Sequence, residues 1–203
     1  MSRIDHGPPG ARMSPAAGRL QLVRPAREHL RSYLGALETG WSPDNLRPEV
    51  AAEQIAAIGQ DAEAFLASFD DPEAKGPPIG LPDGTTVPRL PSFRRWMWEG
   101  GEFCGSIGAR WQPGTAALPP HVFGHIGYAV VPWRRREGLA TRALALMLEE
   151  VRPLGLLHVE LTCDADNEAS IRVIRANGGE PCGQFDRAAG HGGGVELRWR
   201  IPF

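Results

Sequence analysis

The 203-residue chain reads as a single α/β domain, and three observations carry that reading. Residues 125–152, HIGYAVVPWRRREGLATRALALMLEEVR, pass from an alternating apolar segment through a basic glycine turn into an amphipathic segment. Residues 156–179 follow the same order, with an apolar segment, a polar helix start at Asn167 and a stop at Asn177-Gly178-Gly179. Residues 93–111 hold two apolar runs around Glu99-Gly100-Gly101-Glu102, the pattern of a hairpin.

The elements follow in chain order. Residues 1–18 are rich in Pro and Gly with almost no large apolar residue, which predicts a disordered lead-in and leaves residues 19–203 for the domain. Residues 20–23 read as a first strand, and Pro25 opens a helix that continues through Leu30, Leu34 and Leu37. A second helical stretch spans about residues 48–69, with Val50, Ile55, Ile58, Phe65 and Phe69 as its apolar contacts and Gly59 as its expected break. Residues 70–91 contain Pro72, Pro77, Pro78, Pro82, Pro88 and Pro91 around an Asp83-Gly84 turn signal, the composition of a loop with a hairpin. After the 93–111 hairpin, a loop over residues 112–120 leads into a strand expected to start near Val122. Ile126, Tyr128 and Val130 alternate along it until Pro132 ends it. The next helix begins at about Gly138 and places Ala140, Ala143, Leu144, Met147 and Val151 on one face. A last strand pair is expected near residues 180–185 and 195–201. The glycines from Gly190 to Gly194 lack a following Lys-Ser/Thr, so they form a turn and not a P-loop.

Composition narrows the function. With 22 basic and 24 acidic residues the net charge is -2, which predicts neither nucleic acid nor membrane as a partner. Cys104, Cys163 and Cys182 cannot all pair and lack zinc-site spacing, so reduced thiols, no metal and a cytoplasmic location are expected. No apolar run reaches the length of a membrane-spanning helix.

The turn after residue 131 is the candidate site. Arg134, Arg135 and Arg136 precede a helix start with small residues at Gly138 and Ala140, so unpaired N–H groups and the positive end of the helix dipole are open to a pyrophosphate. By itself this pattern also describes an ordinary solvated helix start.

Arg135-x-x-Gly138-x-Ala140 resembles the R/Q-x-x-G-x-G/A signature of the GCN5-related N-acetyltransferases (GNAT), and the Asn167-Glu168-Ala169-Ser170 helix start resembles the family's second motif. Within the family, the GHIGY segment and the NxxS helix are most similar to bacterial acetyltransferases related to the ribosomal-protein N-terminal acetyltransferases. The resemblance implies the GNAT fold, a mixed, mostly antiparallel sheet of about seven strands flanked by helices, with acetyl-CoA as cosubstrate. It implies acetyl transfer to a primary amine of a small molecule or of a peptide or protein N-terminus, and it admits a homodimer. Implied cofactor-binding residues are Val130, Val131, Arg135, Arg136, Gly138, Leu139, Ala140, Thr141, Asn167 and Ser170. Residues 70–91 would line the acceptor side.

Two departures from the family pattern concern catalysis. Ile174 stands where many members have a Tyr acid, and no carboxylate stands near Gly124, where many have a Glu base. Ser170 is the expected substitute acid, with water or solvent as the rival proton source, and Tyr128 and His125 are the remaining catalytic candidates. Asn167 reads equally as a helix cap and Cys163 as a small buried residue. An α-amine near pKa 8 is roughly 10% neutral at pH 7 whereas a lysine amine is roughly 0.04% neutral, so the former asks less of a base. The alternative is an acyl-CoA-binding sensor or interaction module that does not catalyse.

Overall fold

The computed structural model describes residues 18–44, 47–81, 83–186 and 193–203. The expected lead-in lies outside these residues except for Gly18, as does most of the glycine turn after residue 190.

The first strand, β1 (Gln21–Val23), is followed by a short 3-10 turn and α1 (Leu30–Glu38). The second helical stretch is two helices, α2 (Val50–Gln60) and α3 (Ala62–Ala67). The break falls at Asp61, not at Gly59: Asp61 leaves the helical region at φ -156° and caps α3, its side chain accepting the Ala64 N–H at 3.0 Å. Three short pieces follow, β2 (Asp70–Asp71), β3 (Ile79–Gly80) and β4 (Thr86–Val87), of which β3 and β4 form the expected hairpin. The central hairpin is β5 (Ser92–Glu99) and β6 (Glu102–Arg110). Next come β7 (Ile126–Val130), α4 (Leu139–Val151), β8 (His158–Asp164), α5 (Glu168–Ala176), β9 (Glu180–Asp186) and β10 (Val195–Pro202). The strand expected from Val122 starts four residues later, because Gly124 packs directly on the β8 backbone and the chain joins β6 only at Ile126. Seven of the strands are three residues or longer, in agreement with the expected count.

All ladders among the described residues are antiparallel, and they form two main sheets. One has the order β1-β5-β6-β7, with β2 on β5, and the other the order β8-β10-β9. Between them β7 and β8 touch at their beginnings, where the His125 N–H donates to Glu160 O at 2.7 Å and His125 Nδ1 accepts the Glu160 N–H at 2.9 Å. Beyond that point the ladders part: β7 pairs with β6 and β8 with β10.

Each face of the first sheet carries a core. On one side Met97, Ile107 and Ile126 pack with Leu144, Met147 and Val151 of α4, with Ile171 and Ile174 of α5, and with Val159, Leu161 and Trp199 of the second sheet. On the other side Tyr33, Trp41, Phe65, Trp96 and Phe103 form an aromatic core under α1 to α3. Tyr33 and Trp96 stack with centroids 4.3 Å apart, and Phe103 meets Tyr33 edge-on at 5.0 Å. Among the described residues no helix is long and apolar enough to cross a membrane.

His125 is 1% exposed, and burial pushes its pKa down to about 4, so the imidazole is neutral in the folded chain. Because the unfolded chain takes up this proton first, from pH 6.5 downward, the stability present above that value is lost as pH falls toward 4. The expected loss assigned to His125 is roughly 2 to 3 kcal/mol. His125→Asn, which keeps a carbonyl for the Glu160 N–H but does not titrate, flattens this acid limb in urea unfolding followed from pH 7.5 to 4. Parallel pH profiles for wild type and variant would place the titration elsewhere.

Candidate active site

The sequence from Val131 to Thr141 folds as a pocket of backbone N–H groups. A 3-10 turn over Pro132–Arg134 satisfies the Arg134 and Arg135 N–H groups, on Val131 O at 3.0 Å and Pro132 O at 3.3 Å. The next hydrogen bond is that of the Arg142 N–H to Gly138 O at 3.1 Å, the first of α4. The six N–H groups from Arg136 to Thr141 therefore make no hydrogen bond among the described residues. Arg136 at φ 69° and Gly138 at φ 73° lie in the left-handed region, and alternation of this kind makes a concave array of N–H donors. For a non-glycine such as Arg136 this conformation is strained by about 1 kcal/mol or more, a cost typical of binding loops. A side chain built on Gly138 would meet nothing within 4 Å, so the approach is open.

The three arginines of the turn have different surroundings. Arg134 folds back onto Glu99, 2.6 Å from one carboxylate oxygen, while Arg142 holds the other at 2.7 Å. Arg134 also donates to Glu137 at 2.8 Å. Arg135 and Arg136 are exposed and form no ion pair among the described residues; Arg135 Nε makes only a long contact of 3.4 Å with Val130 O. Glu99 thus fixes the turn through one arginine and leaves two for a ligand. Sequence reading missed Glu99 because its partners lie 35 and 43 residues away.

Strand β7 borders the gap. Arg110 N–H donates to His125 O and Val131 N–H to Cys104 O, which puts His125, Gly127, Ala129 and Val131 in hydrogen-bonded register with β6. Residues at the intervening positions point their N–H and C=O groups the other way, so those of Tyr128 and Val130 face the gap. This corrects one expectation: Val130 has its backbone groups turned to the gap, whereas Val131 has its N–H on Cys104 and its C=O on Arg134. Leu139 is buried in the α4 core, and Ala140 and Thr141 close the first turn.

Across the gap, Asn167 caps α5 by accepting the Ser170 N–H at 3.0 Å. Ser170 lies beside Tyr128, whose hydroxyl is buried and has no partner of good hydrogen-bond geometry. Burial pushes the Tyr128 pKa up to about 12, and the neighbouring Ser170 hydroxyl restrains the rise. Both residues line a cleft of about 750 Å³ that also receives Arg94, Arg110 and His121. His125 is not among the residues lining it, because its ring is enclosed by the β7 and β8 backbones. Cys163 is buried and its thiol is pushed up by that burial, away from nucleophilic use. A carboxylate at position 124 would be crowded, since a Cβ there would lie 3.1 Å from Glu160 O and the β8 backbone would have to give.

Comparison with known proteins bears on the family and the fold. The acetyltransferase (GNAT) domain family matches residues 19–180. A sequence search of curated proteins finds no match. Among solved structures, the microcin C7 self-immunity acetyltransferase MccE in complex with acetyl-CoA and AMP superposes with a TM-score of 0.61 at 12% identity, covering 91% of this chain and 92% of its own. RimL, the ribosomal L7/L12 α-N-protein acetyltransferase in complex with coenzyme A, gives 0.60 at 14% identity over 94% and 97%. Mycobacterium smegmatis RimJ gives 0.56 at 18% identity over 93% and 88%. At these identities the likeness establishes the fold.

Glu99 is 7% exposed and carries two arginines, so removing it leaves Arg142 without its carboxylate and Arg134 with that of Glu137 alone. Glu99→Ala is expected to cost about 2 to 4 kcal/mol in urea unfolding, the lower end because Arg142 is half-exposed. An unchanged unfolding midpoint would show that the turn is held by other contacts. With the family model spanning residues 19–180, most of the chain, the chain belongs to the GNAT acetyltransferase family and is an acetyl-CoA-dependent N-acetyltransferase.

Proposed function

We propose that the chain moves the acetyl group of acetyl-CoA directly to a primary amine of a small molecule or peptide N-terminus, with the pyrophosphate at the 136–141 turn and the thioester between β7 and α5. The six uncommitted N–H groups of that turn carry this reading, because they form an anion site at the positive end of a 13-residue helix. Gly138, Leu139, Ala140 and Thr141 contribute backbone donors, and Arg135 and Arg136 contribute charge. Val130 presents its N–H and C=O along the gap, where an extended pantetheine arm pairs as a strand would.

In the reaction the amine nitrogen forms a bond to the carbonyl carbon, the C–S bond breaks, the nitrogen gives up one proton to water, and the sulfur departs as a thiolate that takes one. Ser170 and Tyr128 place two hydroxyls at that end of the cleft. Tyr128, raised to about 12, stays protonated at neutral pH and serves as a hydrogen-bond donor to the developing thiolate. Ser170 relays between Tyr128 and the sulfur. His125, neutral and enclosed, holds the strands together and takes no proton from the amine. Asn167 acts as the α5 cap that orients Ser170, and an α-amine, partly neutral at pH 7, needs little help from a base. RimL acts on a protein α-amine, which supports an N-terminal amine as one acceptor class.

Arg135→Ala is expected to weaken CoA binding roughly tenfold in calorimetry at low salt, with Arg136→Ala smaller because the signature position is Arg135. Equal affinities for all three proteins would move the phosphate site. Ser170→Ala and Tyr128→Phe are expected to lower kcat by roughly tenfold to a hundredfold while the KM for acetyl-CoA changes little. Steady-state release of CoA thiol during an amine screen measures both, and a wild-type kcat in either variant removes that hydroxyl from the mechanism. Tight CoA binding without thiol release from any amine would favour a binding module instead.

A further inference from the structure

The acceptor half of the cleft contains two positive charges that form no ion pair with a carboxylate among the described residues. Arg94 on β5 stands opposite Gly108 of β6, and Gly108 stands opposite Gly127 of β7, so these two glycines form a bare floor across the sheet. Both guanidiniums lie over it. A Cβ on Gly108 would sit 3.6 Å from Arg94 Nε, and a Cβ on Gly127 would sit 3.7 Å from Arg110 Nη2. The other arginines bordering the sheet are matched: Arg95 with Asp70 and Glu150, Arg134 and Arg142 with Glu99, Arg200 with Glu160. Arg94 and Arg110 form no ion pair among the described residues. Arg94 Nη1 reaches only the Ser106 hydroxyl, at 3.5 Å. Asp44 attracts Arg94 without an ion pair, and its Oδ1 accepts the Arg47 N–H at 3.1 Å.

The local physics is unfavourable until something binds. Arg110 keeps contact with solvent in the open cleft, yet enough protein surrounds its guanidinium to penalise the charge, and the Arg94 charge penalises it further. Arg94 is likewise held below its usual value by burial. Two like charges share one floor, and an anion with several oxygens relieves both at once. Planar guanidiniums are suited to carboxylate and phosphate oxygens.

We propose that the acceptor amine carries a carboxylate or phosphate group, and that Arg94 and Arg110 bind this anion over the Gly108 and Gly127 floor. The proposal rests on the acetyl-transfer reading and names its acceptor class. Gly127 and Tyr128 are successive strand residues, so the floor under the anion and the Tyr128 side chain at the sulfur lie on opposite faces of the sheet. The acceptor therefore reaches from the floor into the gap between the strands to meet the thioester.

Two matched pairs test this, 6-aminohexanoate against 6-aminohexanamide and 6-aminohexyl phosphate against 6-aminohexanol. Binding to the CoA-loaded protein is read by calorimetry and turnover by CoA thiol release from acetyl-CoA. The expected result is that at least one acidic probe binds and reacts better than its neutral partner by roughly tenfold to a hundredfold. Which pair shows the preference separates carboxylate from phosphate. In Arg94→Met and Arg110→Met the ratio falls toward one while CoA affinity is retained; Arg94→Lys keeps part of it. If acidic and neutral partners are equivalent in the wild type, or the ratio survives in both Met variants, the inference is wrong although acetyl transfer stands. If an acidic probe binds with the expected preference but no amine releases CoA, the acetyl-transfer reading fails and the anion site stands. The wild-type ratio decides the matter even if a Met variant does not fold.

Discussion

The separation of β7 from β8 is the constraint on which the remaining structure depends. A sheet that continued through both strands would consume every edge N–H and C=O group, leaving nothing for a ligand. Here the two strands meet at His125 and Glu160 and then diverge, each satisfied on its far side by β6 or β10. The inner edges are left open to the cleft. The neutral imidazole is suited to this joint because its Nδ1 accepts a backbone N–H that the missing ladder would otherwise have satisfied. Gly124 lets the chain approach β8 closely enough for that bond, with the Glu160 carbonyl only 3.1 Å from where a Cβ would stand.

Charge is distributed to the same end. Three consecutive arginines on a short turn repel one another, and Glu99 resolves this by drawing Arg134 inward and holding it against Arg142. The carboxylate comes from the end of β5, next to the hairpin turn, so a central strand of the sheet sets the position of the 132–138 turn. Arg135 and Arg136 then stand outward over an array of N–H donors. The positive end of α4 and two exposed cations act on the same volume, and neither cation is held by a carboxylate among the described residues.

Much of the fold was legible because its signals are local. The alternation of Ile126, Tyr128 and Val130, the glycine at 138 and the Asn167 cap depend on neighbours a few residues away, and each was found where the sequence placed it. The errors came where a distant contact decided the outcome. Gly59 is accommodated inside α2 while Asp61, whose side chain caps α3, makes the break. The start of β7 is set by packing against Glu160, and the direction of the Val131 N–H by its pairing with Cys104. Arg94 and Arg110 read as unremarkable strand residues because nothing in a single sequence tells which arginines will find a carboxylate. Glu99 was hidden for the same reason.

The two cores on opposite faces of the first sheet have a consequence for how such a protein diversifies. Helices α4 and α5, which border the proposed thioester and phosphate sites, pack in one core, while the aromatic core of Tyr33, Trp96 and Phe103 lies under α1 to α3 on the opposite face. Only the thickness of a sheet separates them, yet their side chains do not interdigitate. Val131, which leads into the 132–138 turn, is itself buried in the aromatic core, and Ala129 of β7 packs against that core. Under the proposed placement of donor and acceptor, the two sites therefore meet through the end of β7, and a substitution in the aromatic core is felt at both.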